Sequence, residues 1–359
     1  MKIPYLNLAI NKDEKSDLLG EISNLMDKGR FVGGDEITTY EKALEKYLEA
    51  KNILGVASGN SSLYLALKTL NLKENDEVIV PNISWVATAH AVEVAGGKCV
   101  FADIKDDLTI DCESVERLIT KNTKAIICVH FMGISCDLDS LSYICQSKGL
   151  KLIEDCSQSF GLKIKRQCVG TFGDFGCYST NCMKILAGLG DSGFLISKNE
   201  EDYKKIKPWL YNGVNERREV INIELCHRLD TLQAIVLQYR LNNVDQKILS
   251  RKENAHRIMS ETANDNISFI DSEHRVYYGL TLNVKDKRDS LNDHLRNNNI
   301  EAKIEHEPCL SKLIPYKSHQ SESENATRLC ASIINIPISE ALTTENIDQI
   351  VQALNSWKP

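Results

Sequence analysis

The amino-acid sequence predicts an α/β fold: a large unit with a mostly parallel sheet wrapped by helices, followed by a smaller C-terminal α+β unit. Three observations carry this expectation. From Lys51 onward short apolar runs alternate with helical patterns, the rhythm of βαβ units and hence of a parallel sheet covered on its faces. From about residue 240 that rhythm gives way to a long polar helix and then to short strands and helices. The 359 residues, 42% hydrophobic and 26% charged, have the balance of a soluble chain with one large or two ordinary domains. The division is expected between 1–240 and 241–359.

Taken in order, the strand-like runs are NILGVAS, DEVIVP, GGKCVFAD, KAIICVH and LKLIEDCS, and the helical patterns between them are SSLYLALKTL, SWVATAHAVEVA and DLDSLSYICQSKG. The later part predicts one long polar helix over 237–264, strands in VYYGLTLNV and AKIEHEP, and helices in DSLNDHLRNNN and TENIDQIVQALNSW. A net charge of -7 with the basic residues spread along the chain gives no footprint for a nucleic acid or an anionic membrane. No apolar run approaches the roughly 20 residues of a membrane span, and the start is too polar for a signal peptide, so a cytoplasmic location is expected. Twelve scattered cysteines without a CxxC pair read as buried thiols rather than a metal or disulfide framework.

Ligands of such sheets sit off the carboxyl ends of the strands, and four strand ends carry candidate chemistry. In ASGNSSLYLAL, Gly59, Asn60 and Ser61 open a helix; the place offers free N–H groups and a positive dipole end to a phosphate, or is an ordinary cap. In VPNISWVATAHAV, Trp85 offers a flat face to a planar ligand or an anchor to the core. In KLIEDCSQSFG, Glu154 and Asp155 close an apolar strand. A carboxylate there is a turn cap, is solvated, or is paired with a cation that a ligand can supply. In GCYSTNCMKILAGLGDSG a single lysine, Lys184, follows Ser179 by five residues and stands between a methionine and an aliphatic run. It either snorkels or supplies an amine that attacks a carbonyl and forms a Schiff base. A phosphate cradle, an aromatic plate, an acid and a nucleophilic lysine, in this order, are the parts that hold pyridoxal 5'-phosphate, PLP.

The succession SGN, PNISWVATAHAV, IEDCSQSFG, GDFGCYSTNCMK, GLGDSG and RLDTLQA resembles the DegT/DnrJ/EryC1/StrS family of fold-type I PLP-dependent sugar aminotransferases over nearly the whole chain. The resemblance implies a homodimer with active sites at the subunit interface. It implies Lys184 in the Schiff base and as proton shuttle, Asp155 on the pyridine nitrogen, Trp85 stacked on the ring and Gln158 near the ring oxygen. Asn60, Ser61 and Ser179 are implied on the phosphate, beside Gly59. It further implies glutamate as amino donor and a keto sugar, usually nucleotide-linked, as acceptor. Relatives with histidine at the lysine position dehydrate a sugar instead, and Lys184 argues against that; a non-catalytic or regulatory PLP-binding role is the other alternative. No GxGxxG follows the first strand, which argues against a nicotinamide enzyme. Candidates for acceptor contacts are Arg228, His306, Glu307 and the segment 209–219. In one motif the chain departs from the family: where relatives read Gly-x-Asn-x-Arg, with the asparagine reaching across the dimer to the phosphate, this chain reads Glu224-Leu225-Cys226-His227-Arg228. Either Asn222, His227 or Arg228 replaces the missing donor, or PLP is held more loosely than in relatives; replacement by a neighbour is the expectation.

Overall fold

The computed structural model describes residues 2–359. Two helices, α1 (Lys12–Lys28) and α2 (Asp35–Leu48), precede the alternation that the sequence predicts. It runs β1 (Ile53–Val56), α3 (Gly59–Lys68), β2 (Glu77–Pro81), α4 (Ala87–Val94), β3 (Lys98–Ala102), α5 (Cys112–Leu118), β4 (Thr123–Val129), α6 (Leu138–Lys148) and β5 (Lys151–Asp155). A small hairpin, β6 (Lys163–Ile164) and β7 (Gln167–Cys168), leads to β8 (Phe175–Ser179), β9 (Gly193–Ser197) and α7 (Glu200–Ile206). After a strap of irregular chain come α8 (Thr231–Leu241), α9 (Val244–Glu261), β10 (Ser268–Phe269), β11 (Leu280–Asn283), α10 (Arg288–Asn297), α11 (Glu324–Ser332), β12 (Ile333–Ile336) and α12 (Thr344–Ser356).

Seven strands form one sheet in the order β1-β9-β8-β5-β4-β2-β3, in which β9 alone runs against the others. Successive side chains of each strand enter opposite apolar layers, as a period of two requires. Val78 and Val80 face one layer with Phe101, Ile127 and Ile153, covered by Leu63 and Leu67 of α3 and Ala91 of α4. Ile79 faces the other, with Val100, Ile126 and Leu152, covered by Leu44 of α2, Leu141 of α6 and Leu237 of α8. Burial on both sides explains why these runs are continuously apolar.

A second, antiparallel sheet, β10-β11-β12, has its own core of Ile258, Leu291, Leu295, Leu282, Ile334, Ile350 and Leu354, which Ile3 joins from the start of the chain. Residues 310–330 instead lie along the outer edge of the large sheet. There Phe101 donates its N–H to the Gln320 carbonyl and accepts the Glu322 N–H, and Tyr316 and Leu329 join the first apolar layer.

Two expectations are corrected. The long helix over 237–264 is two helices, broken where Asn242 caps α8 and Asn243 precedes α9; asparagine amides compete with the helical backbone. AKIEHEP forms no strand, only a single backbone bridge from Lys303 to Asn335, because His306 turns into the left-handed region at φ 65° and Pro308 lacks the N–H a ladder needs.

Candidate active site

The carboxyl ends of the parallel strands open into a cavity of about 350 Å³. On one wall β1 runs into α3. Ser58 is the N-cap, its Oγ accepting the Ser61 N–H at 3.1 Å, which leaves the first-turn N–H groups of Gly59 and Asn60, both lining the cavity, at the positive end of the helix. A Cβ on Gly59 would stand 2.7 Å from Cβ of Ser179 and 3.2 Å from Oγ of Ser157. Glycine is what allows α3 to start against the end of β8. Ser61 is not among the cavity's lining residues: its Oγ sits 3.1 Å from that of Ser58 and 3.3 Å from Nδ1 of His227.

At the end of β5 the two acids part company. Glu154 is fully buried and accepts the N–H groups of Gly170, Phe172 and Gly173 at 2.7, 2.8 and 2.7 Å. It also takes Nε2 of His130 at 3.2 Å, whose Nδ1 accepts the Cys136 N–H at 3.2 Å. Glu154, His130 and Cys156 lie close enough to hold a metal, yet those hydrogen bonds occupy both carboxylate oxygens and both ring nitrogens. Asp155 faces the cavity. Its Oδ2 accepts the Thr88 hydroxyl at 2.9 Å and its Oδ1 the Ser157 N–H at 3.1 Å, and Ser84 braces Thr88 at 2.8 Å. Asp155 is 4% exposed, and among the described residues no lysine, arginine or histidine forms an ion pair with it.

Trp85 stands over the cavity mouth with 64% of its surface open. The turn before it is pinned by Asn82, which gives Nδ2–H to the Glu322 carbonyl at 2.8 Å and accepts the Ser311 N–H at 2.9 Å. Gln158 lines the floor, its Oε1 taking the Met132 N–H at 2.6 Å. Lys184 leaves the loop between β8 and β9. The buried Ile185 and Leu186 anchor that loop, and α8 clamps it through Gln233 to Leu189 N–H at 2.8 Å and Arg240 to the Ala187 carbonyl at 2.7 Å. The Lys184 Nζ lies 3.3 Å from the Tyr278 hydroxyl, and no carboxylate pairs with it among the described residues. His306 lines the opposite wall with its ring edge-on to Phe131 at 4.9 Å. Removal from water, and then the charge of Lys184, push its imidazole down to about 4, so it is neutral at physiological pH.

Gly59, Asn60, Trp85, Asp155, Gln158, Ser179, Lys184 and His306 thus share one cavity. Arg228 does not line it; its backbone bridges to Val56. Glu307 is turned to Arg288 at 2.7 Å. Trp209 is buried and carries Lys68 on its ring at 5.0 Å, and the rest of 209–219 also lies away from the cavity. Of the 224–228 motif, Cys226 is exposed, while His227 reaches Ser61. Lining residues that sequence reasoning missed include Ser58, Thr88, Tyr278, Tyr5, Lys303 and Glu305. The N-cap pattern and the one-turn spacing of Ser84 and Thr88 signal two of them; nothing in the sequence marks the others.

The donor set fits PLP. A buried carboxylate without a cation is costly unless one arrives, and Asp155 can receive a protonated ring nitrogen. Lys184 is an unpaired amine in the same cavity, and the start of α3 offers N–H groups to a phosphate. Comparison with known proteins points the same way. The model of the DegT/DnrJ/EryC1/StrS aminotransferase family matches residues 12–355. The chain is 28% identical to dTDP-3-amino-3,6-dideoxy-alpha-D-galactopyranose transaminase of Aneurinibacillus thermoaerophilus, covering 99% of both chains. It is also 28% identical to 3-oxo-glucose-6-phosphate:glutamate aminotransferase of Bacillus subtilis, over 98% of this chain and 83% of that one. Among solved structures, S. venezuelae DesV in complex with a ketimine intermediate superposes with a TM-score of 0.94 at 26% identity, covering 99% and 98% of the two chains. The Bacillus subtilis protein ntda with bound cofactor PMP gives 0.92 at 26%, covering 98% and 84%. The chain belongs to the DegT/DnrJ/EryC1/StrS aminotransferase family and is a PLP-dependent sugar aminotransferase.

Proposed function

We propose that this enzyme moves an amino group from glutamate to the keto carbon of a sugar, nucleotide-linked as in the dTDP-sugar relative. The observation that carries the assignment of residues is that an unpaired amine, Lys184, and an unpaired buried carboxylate, Asp155, share one cavity with the start of α3. When bound, PLP supplies an aldehyde for amine capture and a ring that accepts the electron pair left when the donor's α C–H bond breaks. Gly59 and Asn60 hold the phosphate through N–H groups, Ser58 and Ser179 through hydroxyls. Asp155 keeps its charge on the ring nitrogen. Trp85 covers a ring face, and Gln158, with Oε1 committed to Met132, turns its NH2 to the ring oxygen. Lys184 Nζ would take the α-proton and return it to the former aldehyde carbon, on the far side of the shared nitrogen, held in line by Tyr278. His306, uncharged, hydrogen-bonds sugar hydroxyls without drawing in a counter-ion.

We further infer a homodimer that works in the cytoplasm. Val220, Ile221, Ile223 and Leu225 stand exposed along one strap, a run of apolar side chains of the kind that marks an interaction surface. Among the described residues no helix is long and apolar enough to cross a membrane. The proposed division at residue 240 rests on the separate core around β10–β12. Borohydride reduction of the yellow protein tests the central assignment: the reduced adduct should map to Lys184, and an adduct on another lysine rejects it. A screen of keto sugars linked to uridine, thymidine or guanosine diphosphate, and of unlinked ones, should release 2-oxoglutarate from glutamate over many turnovers with one class; multiple turnover with none rejects the substrate assignment.

A further inference from the structure

Behind the start of α3 a chain of polar groups runs away from the cavity. Ser58, which lines the cavity, has its Oγ 3.1 Å from that of Ser61. Ser61 Oγ is 3.3 Å from Nδ1 of His227, and Nε2 of His227 is 3.3 Å from Oε1 of Glu224. Oε2 of Glu224 takes Lys68, and the Tyr64 hydroxyl approaches Oε1 at 3.4 Å. Lys68 and Tyr64 of α3 and Glu224 of the strap are the charged and titratable groups facing the imidazole, with Arg228 next in the chain. His227 is 8% exposed and the Glu224 side chain 3%.

The positions of the hydrogens follow from what each group can donate. A carboxylate held by a lysine only accepts, so Nε2 of His227 carries the hydrogen that goes to Glu224. In the neutral ring Nδ1 is then a lone pair, and the Ser61 O–H donates to it. Ser58 Oγ already accepts the Ser61 N–H at 3.1 Å, which leaves the Ser58 O–H to donate to Ser61 Oγ. Both hydroxyl hydrogens point inward. Protonation of Nδ1 reverses the order: Nδ1–H donates to Ser61, the Ser61 O–H turns to Ser58, and the Ser58 O–H is released to the cavity.

We propose that His227 is a positioning residue for the phosphate cradle: acting through Ser61, it takes up a proton when a phosphate settles against Gly59 and Asn60, and turns the Ser58 hydroxyl toward that phosphate. The inference rests on the assignment of this cavity to PLP. Burial, and then the nearby Lys68 ammonium, hold the imidazole below its ordinary range, so the ring is neutral near pH 7 until an anion favours its charge. A group whose pKa rises on binding takes up a proton, so affinity rises as pH falls toward the value in the free protein.

The test is titration of the apoprotein with pyridoxine 5'-phosphate, which carries the phosphate but no aldehyde for Lys184, with proton uptake measured by calorimetry in two buffers of different ionisation enthalpy. Between about pH 8 and about pH 6, wild type should gain about tenfold more affinity than His227→Gln, the size of one charge-assisted contact, and take up more protons. The ligand's own titration is common to both proteins and cancels. Ser61→Ala, which leaves the imidazole in place and cuts its link to the cradle, should behave as His227→Gln does, and carries the test alone where that variant does not fold. Equal pH slopes and equal proton uptake in all folded variants and wild type overturn the proposal alone. Failure of wild type to bind the ligand at any pH overturns the assignment of the cavity, and the proposal with it.

Discussion

At the scale of single residues, the site sets two charges to different tasks. In the proposed assignment Lys184 is the amine and the proton carrier, so Lys184→Ala should keep noncovalent PLP, lose the borohydride-stable label and lose turnover by about 10⁴-fold or more; steady-state transamination near the wild-type rate would reject the role. In the role proposed for it, Asp155 acts by charge rather than shape. Asp155→Asn preserves the acceptor for Thr88 but cannot keep a ring nitrogen protonated, so deprotonation of the donor should slow by about two to three orders of magnitude. Stopped-flow measurement of the glutamate half-reaction decides it, and an unchanged rate would place Asp155 away from the cofactor. The strand end alone offered Glu154 and Asp155 as neighbours, and only the family resemblance singled out Asp155. Their difference lies in the loop 170–173, whose N–H groups turn back on Glu154, a contact no local pattern encodes.

Elements place those residues by strand pleat and helix start. Because successive side chains of β5 leave on opposite faces, Glu154 serves the fold and Asp155 the cavity. Glu154→Ala should therefore destabilise the protein by at least about 3 kcal/mol, since buried N–H groups lose a charged acceptor, and a melting temperature equal to wild type would disprove its structural role. Gly59 is the corresponding point on α3. In Gly59→Ala the new methyl meets Ser179 at 2.7 Å, so α3 must shift outward, at a cost of about 1–3 kcal/mol, carrying its first N–H groups off the phosphate. PLP affinity should fall about tenfold, and equal affinity by titration would show that the cradle is not where we place it. The alternation of strands and helices through Asp155 was legible because buried parallel strands are apolar on both faces. The break at Asn242 and the loss of the AKIEHEP strand were not, because each depends on one capping or turning residue within an otherwise regular pattern.

At the scale of the whole molecule, long-range closure decides what sequence alone cannot. Tyr278, Lys303 and Glu305 reach the cavity from the second half of the chain, and Ile3 is drawn from the chain start into the core around the second sheet; periodicity carries no trace of either. The strap between α7 and α8 is an exposed apolar segment. Ile223 is 99% exposed, Val220 74% and Leu225 72%, close in sequence to the Glu224–His227 pair behind the phosphate cradle. In the proposed dimer, a second subunit that covers this strap also covers the segment carrying Glu224 and His227, so assembly and cofactor retention should be linked. In a twofold dimer each residue enters the interface twice, and burying an unpaired carboxylate costs several kcal/mol. Ile223→Asp should accordingly shift the dimer to monomer at concentrations where wild type is dimeric, by about a hundredfold or more in dissociation constant, and should lower PLP occupancy in the same samples. Sedimentation velocity with absorbance of the cofactor measures both at once. A variant that sediments as wild type would show that the strap is not the contact, and a wild type that sediments as a monomer would remove the dimer itself.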